Sequence, residues 1–209
     1  MYRPPAFRED DTDKLVAFMQ AHSFATLVSS VNGQIRASHI PLVTTVIDHS
    51  LTLTGHLARQ NPQALTLETG EALAIFTGPH AYISPKHYEQ QENVPTWNYI
   101  AVHAYGVPRV ITLQQAPDKM AAMIDDMTNT YEASFQQQWH SLSESYRVGM
   151  MNGIIGFEMP VTRLEGKYKL SQNRSETDRR NVAQALKSSP DPHSQIVGRI
   201  MEQSLEVDE

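Results

Sequence analysis

Alternation of apolar and polar residues dominates the first third of the chain and predicts β-strands. Two such segments, residues 25–30 and 34–43, are joined by Asn32-Gly33, the strongest short signal for a two-residue hairpin. A second pair of segments follows over residues 43–56. These four segments predict an antiparallel meander, which argues against a parallel sheet with alternating helices.

Two further strands are predicted in the middle of the chain. Residues 72–76 form a compact apolar segment that we expect Gly78-Pro79 to end. From Thr96 onward, one face of a longer strand carries aromatic rings with polar tips, at Trp97, Tyr99, His103 and Tyr105. This face could line a pocket for a flat ligand with polar edges, or it could pack in a barrel core or a dimer interface.

The second half of the chain shows mostly helical spacing. Helices are predicted over residues 10–22, 117–132, 175–187 and 194–205, with a further helix start at Asn61-Pro62. The helix over 117–132 carries a methionine stripe that suits a core or a dimer interface. Residues 150–164 return to strand, and Glu165-Gly166 is expected to form a turn.

Together these segments predict a mainly β fold with added helices. We expect an antiparallel, closed or nearly closed barrel of about six strands with peripheral helices. Residues 1–174 are predicted to form the barrel domain, and residues 175–209 a C-terminal helical extension packed on the same domain.

Composition narrows the possible functions. The 209 residues include no cysteine, which excludes a disulfide framework and a thiolate metal site. No apolar run reaches the length of a bilayer span, and residues 1–5 lack the apolar core of a signal peptide, so a cytoplasmic location is expected. The net charge of −6 argues against a broad nucleic-acid surface, although a local one stays open.

Three polar clusters have the residue types of an anion site. The first, Arg36-Ala37-Ser38-His39, places a guanidinium and a hydroxyl on one strand face. The second, residues 55–62, combines a glycine, His56 and Arg59 with the expected helix start. The third is the basic segment 167–174. A solvated strand face is the alternative for the first cluster, and a solvated turn that caps the following helix is the alternative for the third.

The nine histidines do not indicate a metal site. Four of them, His56, His80, His87 and His103, could converge, but no pair has the spacing of a metal-binding motif and no carboxylate lies at ligand spacing. No residue is assigned as catalytic, because Ser84 lacks the flanking glycines of a nucleophile elbow.

Several segments carry a family resemblance. They are Met1-Tyr2-x-Pro4, His39-Ile40-Pro41-Leu42, residues 55–62, residues 76–85, Val94 to Tyr99, and Lys169-Leu170-Ser171-Gln172-Asn173-Arg174. In these residues the chain resembles the PaiB family of FMN-binding negative transcriptional regulators, within the flavin-binding split barrels. The resemblance extends to about residue 186.

The resemblance implies a homodimeric split barrel with FMN at the dimer interface. By their positions in the matching segments, the residues expected at the cofactor are Arg36, Ser38, His39, His56, Arg59, Trp97, Asn98, Tyr99, Lys169, Ser171 and Gln172. The basic and hydroxyl side chains would hold the phosphate, and Trp97 and Tyr99 would border the ring.

Three functions follow from this resemblance. The first is a dimeric flavoprotein with a regulatory, repressor-like role and no evident DNA-binding helix of its own. The second is an FMN-dependent oxidoreductase of the pyridoxine-phosphate-oxidase type. The third is an interaction module without cofactor, and haem is the alternative ligand in this group of barrels.

Overall fold

The computed structural model describes residues 1–206 and contains nine β-strands within that range. In chain order the strands are β1 (Arg8–Glu9), β2 (Phe24–Val31), β3 (Gln34–Pro41), β4 (Val43–Ile47), β5 (Ser50–Ala58), β6 (Ala72–Ile83), β7 (Thr96–Gly106), β8 (Arg109–Ile111) and β9 (Ile154–Lys169). The strands are hydrogen-bonded in the order β3-β2-β6-β7-β9-β5-β4, and β1 and β8 also pair with β9.

Six α-helices and four short 3₁₀ segments complete the described chain. The helices are α1 (Thr12–Ala21), α2 (Pro117–Glu132), α3 (Gln136–Ser141), α4 (Glu144–Asn152), α5 (Glu176–Lys187) and α6 (Pro192–Glu206). The 3₁₀ segments are Pro5–Phe7, Ala64–Thr69, Pro85–His87 and Ala133–Phe135. None of the helices in residues 1–206 has both the length and the apolar character needed to cross a membrane.

The predicted fold class is confirmed as antiparallel and mainly β with peripheral helices. The number of strands exceeds the predicted count of about six, in part because β1 and β8, of two and three residues, are too short to show a periodicity. All four helices predicted over 10–22, 117–132, 175–187 and 194–205 are present within two residues or so of their expected ends.

The described chain divides into two compact units. The first unit consists of Met1–Leu15, Thr77–Val102 and the described part of Glu165–Glu209; the second consists of Val16–Phe76 and His103–Leu164. The prediction of a 1–174 domain with a 175–209 extension stays a prediction, and its last three residues lie outside the described range. Helices α5 and α6 belong to the first unit.

In the second unit, the β2–β3 hairpin turns at the predicted position. Asn32 and Gly33 both adopt positive φ angles, of 51° and 76°, as a two-residue hairpin turn requires. Val31 pairs with Gln34 next to the turn, and Phe24 pairs with Pro41 at the far end. This register places Arg36 and Ser38 on the same face of β3, as the sequence predicted.

The methionine stripe of α2 belongs to the core of the second unit. Met120, Met123 and Met127 are buried and cluster with Val43 and Ile111. A Cβ on Gly156 of β9 would lie 2.6 Å from the sulfur of Met123, so α2 packs directly on the backbone of that strand. Of the two interpretations of the stripe, the structure therefore supports a core role.

The expected strand end at Gly78-Pro79 is wrong. Strand β6 continues through both residues to Ile83, with alternating burial beyond them. A proline fixes φ near the values of extended backbone, so it removes one N–H donor without forcing the strand to end.

The expected helix start at Asn61-Pro62 is also wrong. Strand β5 ends at Ala58, and the next element is the 3₁₀ segment Ala64–Thr69. The side chain of Asn61 accepts a hydrogen bond from the Gln63 backbone N–H at 2.9 Å, so Asn61 closes an Asx turn instead of capping an α-helix.

The expected turn at Glu165-Gly166 is wrong as well, because both residues lie inside β9. Gly166 pairs with Glu9 of β1 and is buried within the first unit. A Cβ on Gly166 would collide with Leu15 Cδ2 and lie 2.8 Å from the Glu9 carbonyl oxygen. The glycine is required by this close approach of two strands and α1, not by a turn.

We therefore predict that Gly166→Ala lowers the free energy of unfolding by about 1–3 kcal/mol, because the methyl group has no space. Gly149→Ala is the matched control, since Gly149 lies in α4 with nothing within 4 Å of its missing Cβ. That variant should be neutral or stabilising by up to about 1 kcal/mol. Urea denaturation of both variants measures the difference, and equal stabilities would contradict the packing argument.

Candidate functional site

A hydrogen-bond network around the buried Gln63 side chain joins the segment after β5 to strands β2 and β3. The Gln63 amide nitrogen donates to the Leu27 carbonyl at 3.1 Å and to Ser29 Oγ at 3.0 Å, while its amide oxygen accepts from Ser38 Oγ at 2.6 Å. The Asn61 amide donates to the same Ser38 oxygen at 2.9 Å. Gln63 is only 1 % exposed, so these bonds fix the segment after β5 against the β2–β3 hairpin.

An open pocket of about 680 Å³ lies beside this network. It is lined by Gln34 to Ala37 of β3 and by Asn61 to Gln63. Its volume is within the range of about 300–1,000 Å³ that small-molecule sites occupy. Arg36 is the cation in its wall, and no ion pair or side-chain hydrogen bond within residues 1–206 engages the Arg36 guanidinium.

Arg59 has a different environment from Arg36. Its Nε donates to the Asn152 carbonyl at 2.5 Å, and Nη2 lies 3.5 Å from both Gln114 Oε1 and the Ile154 carbonyl. The Arg59 backbone N–H also donates to the Gly153 carbonyl. Most of its donors therefore hold the connection between α4 and β9, which is a structural role.

The remaining predicted residues of the second unit are His39 and His56. His39 Nδ1 lies 3.0 Å from Thr26 Oγ1, and its ring stacks on Phe24 at 6.5 Å on an exposed face of the hairpin. His56 is half-buried, its Nδ1 atom has no partner, and burial lowers the pKa of His56.

Gly55 has a structural explanation that differs from the predicted one. A Cβ there would lie 2.7 Å from Leu42 Cδ2 and 3.2 Å from the Pro41 carbonyl. The glycine thus allows β5 to approach the β3–β4 connection closely, so the space beside its backbone is already filled by protein.

In the first unit, the aromatic face of β7 is the exposed face. Trp97 is 53 % exposed and makes an edge contact with Tyr82 at 5.8 Å and a tilted contact with His80 at 6.0 Å. Tyr99 is half-buried beneath the ammonium of Lys167, which lies 5.2 Å from the ring centre. The predicted two-faced strand is confirmed by its alternating burial.

Asn98 lies on the opposite, buried face of β7 and is fully enclosed. Its amide nitrogen donates to Ser171 Oγ at 2.9 Å and lies 3.4 Å from the sulfur of Met201 in α6. Its amide oxygen has no hydrogen-bond partner. Asn98 and Ser171 are thus brought together, as part of the buried interior of the first unit.

Lys169 and Gln172 are also in the first unit but differ in what they do. Lys169 Nζ donates to Thr96 Oγ1 and to the Trp97 carbonyl. The Gln172 side chain binds the backbone of preceding residues: it accepts from the Leu170 N–H and donates to the Tyr168 carbonyl. These two bonds hold the turn after β9.

Two cations near Lys169, Arg174 and Lys167, were not among the residues predicted at the site. Arg174 donates to Asn93 Oδ1 at 2.7 Å and lies over the Tyr88 ring at 4.5 Å. Lys167 is 8 % exposed between the rings of Tyr2 and Tyr99. The basic segment 167–174 gave the signal, but only the structure shows which of its side chains share a space.

The eleven predicted residues therefore form two groups. Arg36, Ser38, His39, His56 and Arg59 belong to the second unit, and Trp97, Asn98, Tyr99, Lys169, Ser171 and Gln172 belong to the first. Within residues 1–206, no group of three or more histidine, aspartate or glutamate side chains is arranged to hold a metal ion.

A family model described as "Putative FMN-binding domain" matches residues 1–163. The chain belongs to this FMN-binding family. FMN is accordingly the cofactor of the family, in agreement with the sequence prediction. The match ends inside β9, before the segment that carries Lys169 and Ser171.

Relatives extend the family assignment over nearly the whole chain. The chain is 37% identical over 208 residues to the "Protease synthase and sporulation protein PAI 2" of Bacillus subtilis, covering 98% of each chain. An uncharacterised protein of Emericella nidulans is 34% identical over 184 residues, covering 71% of this chain and 73% of its own. The predicted PaiB-type membership is therefore confirmed.

Solved structures confirm the split-barrel fold. The flavocytochrome Anf3 of Azotobacter vinelandii matches with a TM-score of 0.62 at 11% identity, covering 85% of this chain and 77% of that one. The FAD and haem binding protein of Mycobacterium smegmatis matches with a TM-score of 0.61 at 14% identity, covering 82% and 78%. At these identities the likeness concerns the fold alone.

The environment of His56 generates a pH prediction. Because burial lowers the pKa of folded His56, the unfolded chain, with a histidine pKa near 6.5, takes up the proton first as the solution is acidified. His56 therefore leaves the free energy of unfolding unchanged above about pH 6.5 and lowers it as the pH falls below that value. His56→Asn should therefore show a smaller loss of unfolding free energy between pH 7.5 and pH 5.5 than the parent chain.

His49→Asn is the control for this measurement, because His49 is exposed in the β4–β5 turn at a φ of 63° that asparagine tolerates. It should keep the parent's pH dependence. Burial also lowers the pKa of His22, so the effect in His56→Asn is a reduction and not a complete loss. An unchanged pH dependence in His56→Asn would contradict the prediction.

Proposed function

We propose that this protein is a dimeric FMN-binding split-barrel protein with a regulatory role. The observation that carries the proposal is the Arg36 pocket of the second unit, in a chain whose family is FMN-binding. The pocket combines a guanidinium that lacks a protein partner with hydroxyl and amide groups held in place by Gln63.

The residues of this pocket fit the phosphate end of FMN. A guanidinium presents a planar set of donors that suits a phosphate, and Arg36 points from the same face of β3 as Ser38. The neighbouring Asn61 and Gln63 amides are ordered by the network, so little side-chain freedom is lost on binding. The assignment of His39, His56 and Arg59 to the cofactor stays a prediction from the family resemblance, and most of the Arg59 donors already bind carbonyl oxygens.

When bound, the flavin would supply reversible uptake of electrons. In the second unit, Arg36 would neutralise the phosphate charge and fix its position. Gln63 would keep β2, β3 and the segment after β5 in a fixed relation, so that the phosphate site exists before FMN arrives. The assignment of Trp97, Tyr99 and Lys169 to the cofactor stays a prediction from the family resemblance.

A regulatory role is favoured over a direct role as a DNA-binding protein. The net charge of −6 does not favour a long contact with the phosphate backbone of DNA. On α5, the basic side chain of Arg180 is paired with Glu176, and Lys187 of the same helix is paired with Glu202 of α6. We propose that the flavin state is passed to a partner in the cytoplasm, so that any repression of transcription is indirect.

Arg36→Gln should weaken FMN binding by about 1.5–3 kcal/mol, or roughly 10- to 150-fold in Kd, because a charge-assisted hydrogen bond is lost. Titration of the flavin-free protein with FMN, followed by quenching of flavin fluorescence, measures Kd. Arg109→Gln is the matched control: it makes the same charge change at an exposed position of β8 in the same unit. The proposal predicts parental affinity for that control.

Urea denaturation of Arg59→Ala, carried out beside its FMN titration, separates a structural role of Arg59 from a binding role. Since Arg59 holds two backbone carbonyls, its removal should lower unfolding stability by about 1–3 kcal/mol. If FMN fails to bind the parent chain, or binds Arg36→Gln as tightly as the parent, the Arg36 pocket is not the phosphate site.

The dimer is tested by sedimentation. Exposed apolar side chains on the strands of the second unit, among them Phe24 (68 %) and Ile35 (75 %), suit a covered surface. We expect a mass of about twice 23.5 kDa at micromolar concentration. Ile35→Lys should shift the chain toward monomer, whereas a monomeric parent chain would count against the dimer.

A further inference from the structure

A small, positively charged pocket in the first unit is separate from the Arg36 pocket of the second. It has a volume of about 190 Å³, and its polar lining includes Thr96, Asn98, Lys169, Ser171 and Arg174. No acidic residue belongs to this lining. Its volume is below the lower limit of about 300 Å³ for sites that take drug-sized ligands, so only a small group can enter.

Among the described residues, the cations at this pocket have no anionic partner. Within residues 1–206, Lys169 and Arg174 donate to neutral oxygens, those of Thr96, Trp97 and Asn93. Lys167, immediately along β9, lies over aromatic rings and has no ion pair within residues 1–206. Partly buried like charges that lack a counter-ion repel one another, and an anion placed among them removes that cost.

The pKa of Lys169 supports this description. It is lowered first by burial and then by the charges of Lys167 and Arg174. Lys169 therefore lies close enough to two other cations to be affected by their charges, and no carboxylate is among the causes of its shift.

Asn98 adds an independent observation. Its side chain is fully buried, it lines the pocket, and its amide oxygen has no partner. A buried acceptor without a donor is destabilising, so a ligand with a hydrogen-bond donor is favoured at this position. A ligand that meets both conditions carries negative charge and one O–H group.

We propose that this pocket binds a small protonated oxyanion, of which hydrogen phosphate is the simplest. Its charged oxygens accept from Lys169 and Arg174, and its O–H donates to the Asn98 amide oxygen. The FMN phosphate is a poor occupant, because a phosphate monoester dianion has no O–H and the pocket has no space for a ring system. The pocket is therefore distinct from the Arg36 pocket proposed for the FMN phosphate, and binding of the oxyanion does not require FMN.

The test is calorimetric titration of the flavin-free chain with potassium phosphate near pH 7, with potassium chloride holding the ionic strength constant. Phosphate should bind the parent chain, and sulfate, which has the same shape but no O–H, should bind at least about tenfold more weakly. Arg174→Gln and Lys169→Gln should each raise the phosphate Kd at least about tenfold, through loss of a charge-assisted hydrogen bond. Circular dichroism checks that each variant folds. If one of the two variants does not fold, the other alone tests the site.

Two control variants lose one positive charge, as Arg174→Gln and Lys169→Gln do. Arg180→Gln alters an exposed residue of α5 that pairs with Glu176, and Arg36→Gln alters the proposed flavin-phosphate site. Both should bind phosphate as the parent does. The proposal is overturned if the parent ignores phosphate up to about 10 mM, if sulfate binds equally well, or if Arg36→Gln removes the binding. The flavin proposal is unaffected by the first two results, since its assay measures FMN.

Discussion

Strand β9 is the element on which the second unit depends. Residues 156–158 pair with β5 on one side and with β8 on the other, so their backbone is hydrogen-bonded in both directions. Gly156 has no side chain, and Met123 of α2 occupies the resulting space. The start of the same strand is tied to Arg59 through the carbonyls of Asn152, Gly153 and Ile154. A single strand thereby fixes a helix, two neighbouring strands and one of the two arginines predicted at the phosphate.

Two arginines that look equivalent in the sequence differ in whether their guanidinium donors are already used by the protein. Arg59 is surrounded by carbonyl oxygens that use its donors, whereas Arg36 faces an open pocket with no partner in the described chain. The first unit shows the same distinction among its polar residues. The Gln172 side chain uses its donor and its acceptor within the turn after β9. In the described chain, by contrast, Lys169 and Arg174 donate to neutral oxygens and to no carboxylate. A side chain is therefore a candidate for ligand binding when its donors or acceptors are not already used within the protein, and residue type alone does not show this.

Much of the fold could be predicted because its signals are local. Asn32-Gly33 set the hairpin, the methionine spacing set α2, and Ser175 caps α5 by accepting from the Asp178 N–H at 3.1 Å. The errors at Pro79 and Asn61 arise because the local signal allows two structures: a proline can continue a strand, and an asparagine can close an Asx turn instead of capping a helix. The error at Gly166 has another cause, since distant partners decide its place. Gly166 is explained only by Glu9 and Leu15, more than 150 positions earlier in the chain. For the same reason Gln63 was missed, because its partners lie on β2 and β3.

The tie between Asn98 and the C-terminal helix has a consequence for how the chain can be divided. The family model ends at residue 163, yet β9 runs on to Lys169, and its last residues supply the partners of β1. Beyond them, Ser171 and Met201 enclose the Asn98 side chain. A fragment cut at the end of the matched region would expose that amide and leave β1 without its neighbour. The region matched by the family model is thus shorter than the packed structure, and a stable fragment of this chain should extend through α6.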